Sequence, residues 1–408
     1  MGTPLDHTGT EPLSGRAPEV AGPVRVLHLG FEDPLMPGAG GGSVRTHQIN
    51  RRLAGEGFDL TVLTTTYPGA RERIQDGVRY VPVGFGQGRN RLTRLLGYVA
   101  RLPFETRRRR AGTDLVVEDF FAPFSTMAVP LWSGLPTIGV VQWLHAGAKA
   151  RQYRVPVHWV ERFGVRRHAR MIAVSQGTAD KLRGLNPLAR VEVIGNGIDP
   201  EALDGEPLLG DNVLFIGRLE LQPKGIDLLL AAWAAAAPQL RAKLVLAGTG
   251  PDQEKIEHLI ASLGLEGSVE LVGWKEGQAK RDLVRSARLV VVPSRHETFG
   301  LVAVEALAGA TPVIIFDIPS LREAVPEGCG WKVAPFDVAA LAAELVRRYF
   351  DTSALMAAGL SGRAFARRFD WNIQAARQAQ IYRSALPSPA DRNPNLSPLV
   401  RPRTKGSS

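Results

Sequence analysis

The sequence predicts an α/β protein made of two doubly wound domains. Short apolar runs alternate with amphipathic helical segments along 408 residues, and the alternation starts afresh near the middle of the chain. With 44% hydrophobic residues, the chain has room for two domains of about 150–200 residues each. Two such Rossmann-like assemblies in succession imply a cleft between them.

The first half opens with a β-loop-α-β order. A buried strand at Val24–Gly30 is followed by glycines at 38–42, an amphipathic helix at Ser43–Gly55 and a second strand at Leu60–Thr65. This order begins a parallel sheet. Further strands are predicted at Gly77–Val83, Asp114–Val117, Thr137–Gln142, Met171–Val174 and Val191–Ile194.

The second half repeats the same alternation. Its predicted strands and helices, in order, are Asn212–Arg218, helix Gly225–Ala237, Lys243–Gly248, helix Asp252–Leu263, Val269–Val272, helix Gly277–Ser286 and Leu289–Val292. The seam is expected at Gly195–Pro200, because its glycines and proline suit a hinge. The predicted domains are therefore residues 23–194 and 195–360.

Composition limits the cellular setting. Cys329 is the only cysteine, which suits a reducing cytosol. No apolar run approaches the roughly 20 residues that span a bilayer, and the start lacks a signal-peptide core. We therefore expect a cytoplasmic protein with a disordered lead-in at 1–22 and a disordered tail at 386–408. The net charge of +10 favours acidic partners such as phosphates.

The stretch Ser294–Leu307 carries the most informative pattern. Glu297 and Glu305 lie eight residues apart, directly after the apolar run Leu289–Val292. A strand, a tight turn and a helix start are predicted in that order, so amides at the turn face an anion. Carboxylates beside an anion site suit hydroxyls of a ribose or sugar, which indicates a nucleotide-sugar site.

Two cations follow the first strand of the second half. Arg218 and Lys224 lie six residues apart around a turn that runs into a helix. Arginine suits bidentate contact with a pyrophosphate and lysine supplies a mobile point charge. The pair therefore predicts a site that neutralises a departing diphosphate. A pair of ordinary surface cations is the alternative.

The glycine-rich loop 37–43 lets the backbone approach a ligand closely, and the helix that follows favours anions. It is not a dinucleotide fingerprint, since the glycines are contiguous and no acidic residue ends the next strand. The chain also lacks a P-loop lysine motif and the Asp-x-Asp metal signature. We therefore expect neither a metal nor another cofactor.

Three residues at predicted strand ends of the first half are candidates for substrate contact. His145 follows the strand Thr137–Gln142, where ligands of parallel sheets bind. Glu118 and Asp119, beside Phe120, Phe121 and Phe124, are candidates for holding an acceptor. The alternatives are a structural histidine and a solvated strand end over buried phenylalanines.

Arginines alternate with apolar residues over Arg89–Arg110. This pattern predicts a helix that covers the sheet with a solvated basic end, or one that touches an anionic membrane. No recognition motif or stacking platform accompanies the charge, so a nucleic-acid partner is not expected.

Together these motifs resemble glycosyltransferase family 4, the glycosyl transferases group 1, which have the GT-B fold. The resemblance covers roughly Val24 to Leu386. Its strongest part is the E-x-seven-E signature, matched by Glu297 and Glu305. The other matching motifs are Gly217–Leu219 with Lys224–Gly225, Asn196–Asp199, Ala247–Pro251, Gly41–Gly42 and Gly57–Thr64.

The resemblance implies two Rossmann-like domains that face each other across a donor-binding cleft, with a helix at 361–385 crossing back to the first domain. It also implies roles for individual residues. Glu297 and His145 would contact the transferred sugar, and Glu305 the ribose. The donor phosphates would be bound by Arg218, Lys224, Gly41, Gly42, Phe299, Gly300 and Leu301, and the base by Gly273 and Trp274.

The implied activity is transfer of a sugar from a nucleotide-diphosphate sugar, with UDP- or GDP-sugars favoured, to an acceptor hydroxyl with retention of configuration. Front-face substitution without a metal is the expected route. The acceptor is a small molecule or natural product, or a polyprenyl- or lipid-linked glycan. Alternatives are a GT-B phosphorylase, an epimerase or a non-catalytic nucleotide-sugar-binding protein. Asp317–Glu323 replaces the family's Gly-Gly-x-x-Glu segment, which leaves the nucleotide and sugar open.

Overall fold

The computed structural model describes residues 22–85, 90–121, 126–142, 144 and 157–387. Its first sheet has eight strands in the order β3-β4-β2-β1-β5-β6-β7-β8. All neighbours are parallel except the short pair β3 and β4. The strands are β1 Val24–Leu29, β2 Phe58–Thr65, β3 Arg73–Gln75, β4 Val78–Val83, β5 Leu115–Asp119, β6 Thr137–Val141, β7 Arg170–Ala173 and β8 Arg190–Val193.

The second sheet has six parallel strands in the order β11-β10-β9-β12-β13-β14. They are β9 Val213–Ile216, β10 Leu244–Ala247, β11 Val269–Leu271, β12 Leu289–Val292, β13 Val313–Phe316 and β14 Gly330–Val333. In both sheets the strand order reverses at the first strand of the half, which is where ligands bind in open α/β sheets. The α/β fold with two parallel sheets is as predicted.

Helices connect the strands and cover both sheets. In the first half they are α1 Gly41–Ala54, α2 Arg91–Arg109, α3 Val157–Val165 and α4 Gln176–Leu185. In the second half they are α5 Leu221–Lys224, α6 Ile226–Ala236, α7 Gln253–Ser262, α8 Gly277–Arg285, α9 Leu301–Ala308, α10 Pro319–Ala324, α11 Val338–Tyr349, α12 Thr352–Ala366 and α13 Trp371–Ala385. Among the described residues, no helix is long and apolar enough to cross a membrane.

The two faces of the first sheet are covered by different helices. Alternate residues of a strand point to opposite faces, and the core clusters follow this rule. One cluster joins the sheet to α1 and α13, through residues that include Val117, Val140 and Tyr382. The other face packs under α2 around Val116 and under α3 and α4 around Val141.

The end of the chain returns to the first sheet, as the fold prediction requires, but the predicted helix is interrupted and only its second part makes the return. The sequence predicts a single helix over 361–385. Instead α12 ends at Ala366, and α13 begins at Trp371 with the Asp370 side chain accepting a hydrogen bond from the Asn372 amide. An aspartate cap satisfies amides at a new helix start. The break lets α13 leave the second domain and pack on α1.

Candidate functional site

A cleft with a volume of about 1260 Å³ lies between the two domains. Its walls combine the glycine-rich segment before and in α1 with residues from the carboxyl ends of the second sheet. Of the described residues that line it, six are Lys or Arg and three are Asp or Glu, an excess that favours anions. These are Arg45, Arg218, Lys275, Lys280, Arg281 and Arg285, against Asp199, Glu276 and Glu305.

The structure brings Glu297 and Lys224 together. The lysine Nζ donates to Oε1 of Glu297 at 2.5 Å, and the Ser294 hydroxyl donates to the same oxygen at 3.2 Å. Lys224 and Glu297 are 23% and 15% exposed as side chains. The ammonium retains further donors, since it carries three protons. A partly exposed ammonium on a fixed carboxylate can therefore contact an additional anion.

The loop that carries Glu297 is fixed to the segment that carries Lys224. The Arg295 guanidinium donates to both carboxylate oxygens of Asp227 in α6, each at 2.7 Å, and this pairing raises the pKa of Arg295. The Arg295 amide donates to the Pro223 carbonyl at 3.0 Å. Bidentate arginine–carboxylate pairs restrict geometry as well as adding energy. Lys224 and Glu297 are thus held at a defined separation.

Glu305 has its own lysine. Nζ of Lys280, in α8, lies 2.7 and 2.6 Å from Oε1 and Oε2 of Glu305, in α9. Both side chains line the cleft. Sequence reasoning missed Lys280 because the predicted helix 277–286 offered no sign of which face meets the cleft. The sequence shows only that its helix follows β11, which places the start of the helix at the ligand-binding edge but does not select Lys280 among its residues.

The helix α9 begins between the two glutamates. Gly300 precedes it with φ +88°, a left-handed conformation that favours glycine, and Leu301 is its first residue and lines the cleft. Phe299 is buried, with its ring packed edge-on against Phe369 at 5.5 Å between ring centres. The first amides of a helix lack intrahelical partners, so this end can receive an anion. Phosphate binding by these amides stays a prediction.

Arg218, Gly41 and Trp274 also line the cleft. The Arg218 side chain is 65% exposed and pairs with Glu220 at 2.8 Å. Gly41 begins α1, and the carbonyl of Gly42 accepts a hydrogen bond from Gln142 at 3.2 Å. Arg218 and Leu301 of the second domain and Gly41 of the first, all candidates for phosphate binding, therefore line one cleft.

The candidates for base binding lie on the same wall. Gly273 has φ +69°, and the Trp274 indole is half exposed and donates to Glu276 at 2.6 Å. An exposed aromatic face at a cleft can stack on a base. The proposed role of this segment stays a prediction.

Glu118 lies in a different environment from the one expected for an acceptor contact. It is 1% exposed and accepts hydrogen bonds from the Thr126 hydroxyl at 2.8 Å, the Val129 amide at 3.3 Å, the Met127 amide and His168 at 2.9 Å. Both oxygens are thus occupied by internal donors. Glu118 stabilises the loop after β5, and neither the acceptor role nor a solvated strand end fits this burial.

Asp119 is also buried and connects β5 to α1. It accepts a hydrogen bond from the Thr46 hydroxyl at 2.6 Å, and Nε2 of His28 lies 3.1 Å from its other oxygen. Arg45, which lines the cleft, is 1% exposed, and burial lowers the pKa of its guanidinium while the Asp119 charge opposes that shift. The hydrogen bond between Asp119 and Thr46 thus fixes α1, the helix that follows the glycine-rich loop, to the end of β5. His145 lies outside the described residues.

Comparisons with known proteins agree with this architecture. Residues 39–202 match the model of glycosyltransferase family 4, and residues 210–351 match that of glycosyl transferases group 1. Glycogen synthase from Mycobacterium tuberculosis is 30% identical over 423 residues, covering 92% of this chain and 98% of that protein.

Two further matches are an enzyme that is similar in sequence and a solved structure that is similar in fold. The GDP-mannose:cellobiosyl-diphosphopolyprenol alpha-mannosyltransferase of Xanthomonas campestris is 28% identical over 279 residues, covering 66% of this chain and 73% of that protein. The structure of Anabaena HepE with UDP and glucose has a TM-score of 0.69 at 19% identity, covering 88% of this chain and all of that one. Because the match to the glycogen synthase extends over nearly the whole of both chains, this protein belongs to glycosyltransferase family 4 and is a glycosyltransferase with the GT-B fold.

Proposed function

We propose that this enzyme transfers a sugar from a nucleoside-diphosphate sugar to an acceptor hydroxyl with retention of the anomeric configuration. The cationic wall of the cleft carries this proposal. Arg218 and the two lysine–glutamate pairs lie at the carboxyl ends of the second sheet, beside the start of α9. Cations suit the diphosphate and the carboxylates suit hydroxyls of the sugar and ribose.

In this mechanism the diphosphate leaves from the face on which the acceptor arrives. Arg218, Lys224 and the first amides of α9 stabilise the departing charge, so no metal or other cofactor is required. An oxygen of the diphosphate takes the proton of the acceptor hydroxyl. Glu297 orients the transferred sugar instead of attacking it, since its Oε1 already holds Lys224 and Ser294.

Arg218→Ala and Lys224→Ala should each lower kcat by about 100-fold or more, the scale for removing one oxyanion-type contact. Initial rates at saturating donor measure this. Lys243→Ala is the matched control, because Lys243 precedes β10 at the opposite edge of the second sheet and pairs with Glu270 at 3.6 Å. Near-normal rates of Arg218→Ala or Lys224→Ala would show that the replaced cation does not bind the leaving group.

Retention and metal independence have separate tests. The anomeric configuration of the new glycosidic bond, read by NMR from the isolated product, should match that of the donor. Activity should survive EDTA, and a substantial loss would mean that a divalent metal neutralises the diphosphate. An inverted product would contradict the front-face route while leaving the transferase assignment in place.

UDP- and GDP-sugars are the favoured donors. The names of relatives support both, since the Xanthomonas enzyme is named for GDP-mannose and the HepE structure contains UDP and glucose. A thermal-shift screen with UDP-, GDP- and dTDP-sugars should single out the donor by the largest rise in Tm. The Xanthomonas name also supports a polyprenyl-linked acceptor, and a small-molecule acceptor is the alternative.

A further inference from the structure

The outer face of α2 is apolar as well as the inner one. Its buried side, with Leu95, Tyr98 and Leu102, packs on the sheet. The opposite side carries a second apolar stripe at four-residue spacing, made of Leu92, Leu96, Ala100 and Phe104. Leu92, Leu96 and Phe104 are 60%, 54% and 76% exposed. Residues at this spacing lie one above another, so the stripe is about 18 Å long.

The exposed charged residues of α2 beside this stripe are arginines. Arg101, Arg107 and Arg108 are exposed beside it. Glu105 is the only acidic residue of α2, and it pairs with Arg109 at the flank. A solvent-facing helix side usually mixes both signs, whereas apolar residues bordered by arginines match the boundary of an anionic bilayer.

A second helix repeats the pattern on the same face of the sheet. The exposed side of α3 carries Trp159, Val160 and Phe163, which are 71%, 42% and 48% exposed. Exposed Arg162, Arg166 and Arg167 accompany them. The cores under α2 and α3 both lie opposite the face that α1 and α13 cover. The two apolar and basic helices therefore face outward from the same side of the first domain.

The segment 126–134 connects these two helices. Arg110, just after α2, donates to the Gly134 carbonyl at 3.0 Å. At the other end, a Cβ on Gly164 of α3 would lie 2.0 Å from the Thr126 methyl group, so the helix packs directly on this segment. Leu131 between them is 55% exposed. An exposed apolar side chain thus lies on the segment that joins α2 and α3.

The surface also reaches the mouth of the cleft. Near the start of α2, the Arg94 guanidinium lies 2.8 Å from the Met36 sulfur, and Met36 lines the cleft. Leu35, next to it, is 57% exposed. The start of α2 therefore lies near the lining of the cleft, and the stripe extends from this end of the helix to Phe104.

We propose that this face, formed by α2, segment 126–134 and α3, docks the enzyme on an anionic lipid bilayer with the cleft mouth at the membrane surface. The exposed apolar side chains enter the headgroup boundary, and the arginines bind the anionic headgroups. Docking does not depend on the donor or on retention. A lipid-linked acceptor could then enter the cleft from the membrane side.

Flotation with vesicles tests the proposal on the full-length protein. Vesicles of phosphatidylcholine with about one quarter phosphatidylglycerol should bind it, binding should fall with salt, and phosphatidylcholine alone should bind weakly. The double variant Leu96→Asp/Phe104→Asp should bind at least about tenfold less, because it replaces two apolar side chains that enter the headgroup boundary with anionic ones.

Leu360→Asp is the matched control. Leu360 is 55% exposed, almost as Leu96 is, but lies on α12 in the second domain. This variant should bind the anionic vesicles with an affinity within about twofold of that of the wild type. Absence of vesicle binding by the wild type at low salt, or an equal loss in the control, overturns the proposal. Donor hydrolysis by the double variant should stay normal, which separates a docking failure from a failure of the transferase mechanism.

Discussion

Each glutamate of the E-x-seven-E signature is held by a different lysine. Lys224 follows the first strand of the second sheet, whereas Lys280 comes from the helix after β11. The two pairs are similar in length and in exposure. Each glutamate already accepts a hydrogen bond from an ammonium, and its carboxylate has further lone pairs that can accept from hydroxyls of a ligand. The pairing therefore favours binding roles over the acid–base roles of a glycosidase pair.

Lys280→Met should raise the donor KM about tenfold and change kcat by less than about threefold. The substitution releases Glu305 from its charge-assisted hydrogen bond, a contact worth about 1.5–3 kcal/mol, and disturbs the orientation expected for ribose binding. Initial rates over a range of donor concentrations give both constants.

Lys275→Met is the control for charge, because Lys275 lines the same cleft. This substitution should leave the donor KM within about twofold of the wild-type value. Equal effects of the two substitutions would mean that total cleft charge matters and the Lys280–Glu305 contact does not. A lower kcat with unchanged KM would instead place Lys280 in the chemical step.

A residue could be assigned to the site from the sequence only where the local sequence determines where that residue lies in the fold. Glu297, Arg218 and Lys224 follow apolar strands, and all parallel strands bring their carboxyl ends to one edge. Lys280 could not be predicted, because its contact depends on how α8 packs beside α9. Glu118 was expected near a substrate for the same strand-end reason. The loop that folds back over it supplies internal donors that the local sequence does not reveal.

At the scale of the element, Gly225 joins α5 to α6 and directly follows Lys224, so its conformation determines where Lys224 lies. It has φ +66°, and a Cβ there would lie 2.0 Å from the Pro293 carbonyl oxygen at the end of β12. The turn and the strand end are thus in backbone contact. A side chain at 225 would therefore force the turn after Lys224 and the end of β12 apart.

Gly225→Ala should destabilise the protein by about 1–3 kcal/mol more than Gly264→Ala does, the usual range for overpacking. Gly264 has φ +65° and open space around its Cβ position, so it reports the cost of the left-handed backbone alone, about 1–2 kcal/mol. Denaturant unfolding measures both. If the two variants lost the same free energy of unfolding, the structure would relieve the contact with Pro293 without a further loss of stability.

The elements themselves were largely predictable, since buried parallel strands produce short apolar runs. The predicted strand at 60–65 lies within β2, the one at 289–292 matches β12, and the one at 212–218 contains β9 with one to two extra residues at each end. The exception in the first sheet is β3, Arg73–Gln75, whose polar sequence gives no strand signal. It is held by tertiary contacts, among them the pair that Arg73 makes with both oxygens of buried Asp33 at 2.7 Å.

At the scale of the whole molecule, the chain crosses between the domains twice at one place. The Ile198 amide donates to the Phe369 carbonyl at 2.7 Å, and the Trp371 amide donates to the Ile198 carbonyl at 3.2 Å. A Cβ on Gly197 would lie 2.3 Å from the Trp371 ring. The glycine expected for flexibility at the seam is thus also required for close packing of the returning chain.

Because α13 completes the core of the first domain, the stability of that domain should depend on residues near the end of the sequence. Ala379 is fully buried in the cluster with α1, whereas Ala376 on the same helix is exposed. Ala379→Asp should destabilise the protein by about 3 kcal/mol or more, because it places an unpaired carboxylate in the core.

Ala376→Asp makes the same chemical change on the solvent side of α13 and should cost less than about 1 kcal/mol, near the difference in helix propensity. Urea unfolding monitored by tryptophan fluorescence compares the two. If the variants were equally stable, α13 would pack too loosely to support the first domain. A large loss in Ala379→Asp alone would show that the domain defined by the first sheet is completed only when the last helix has returned, so that the two halves of the sequence fold as one interdependent structure.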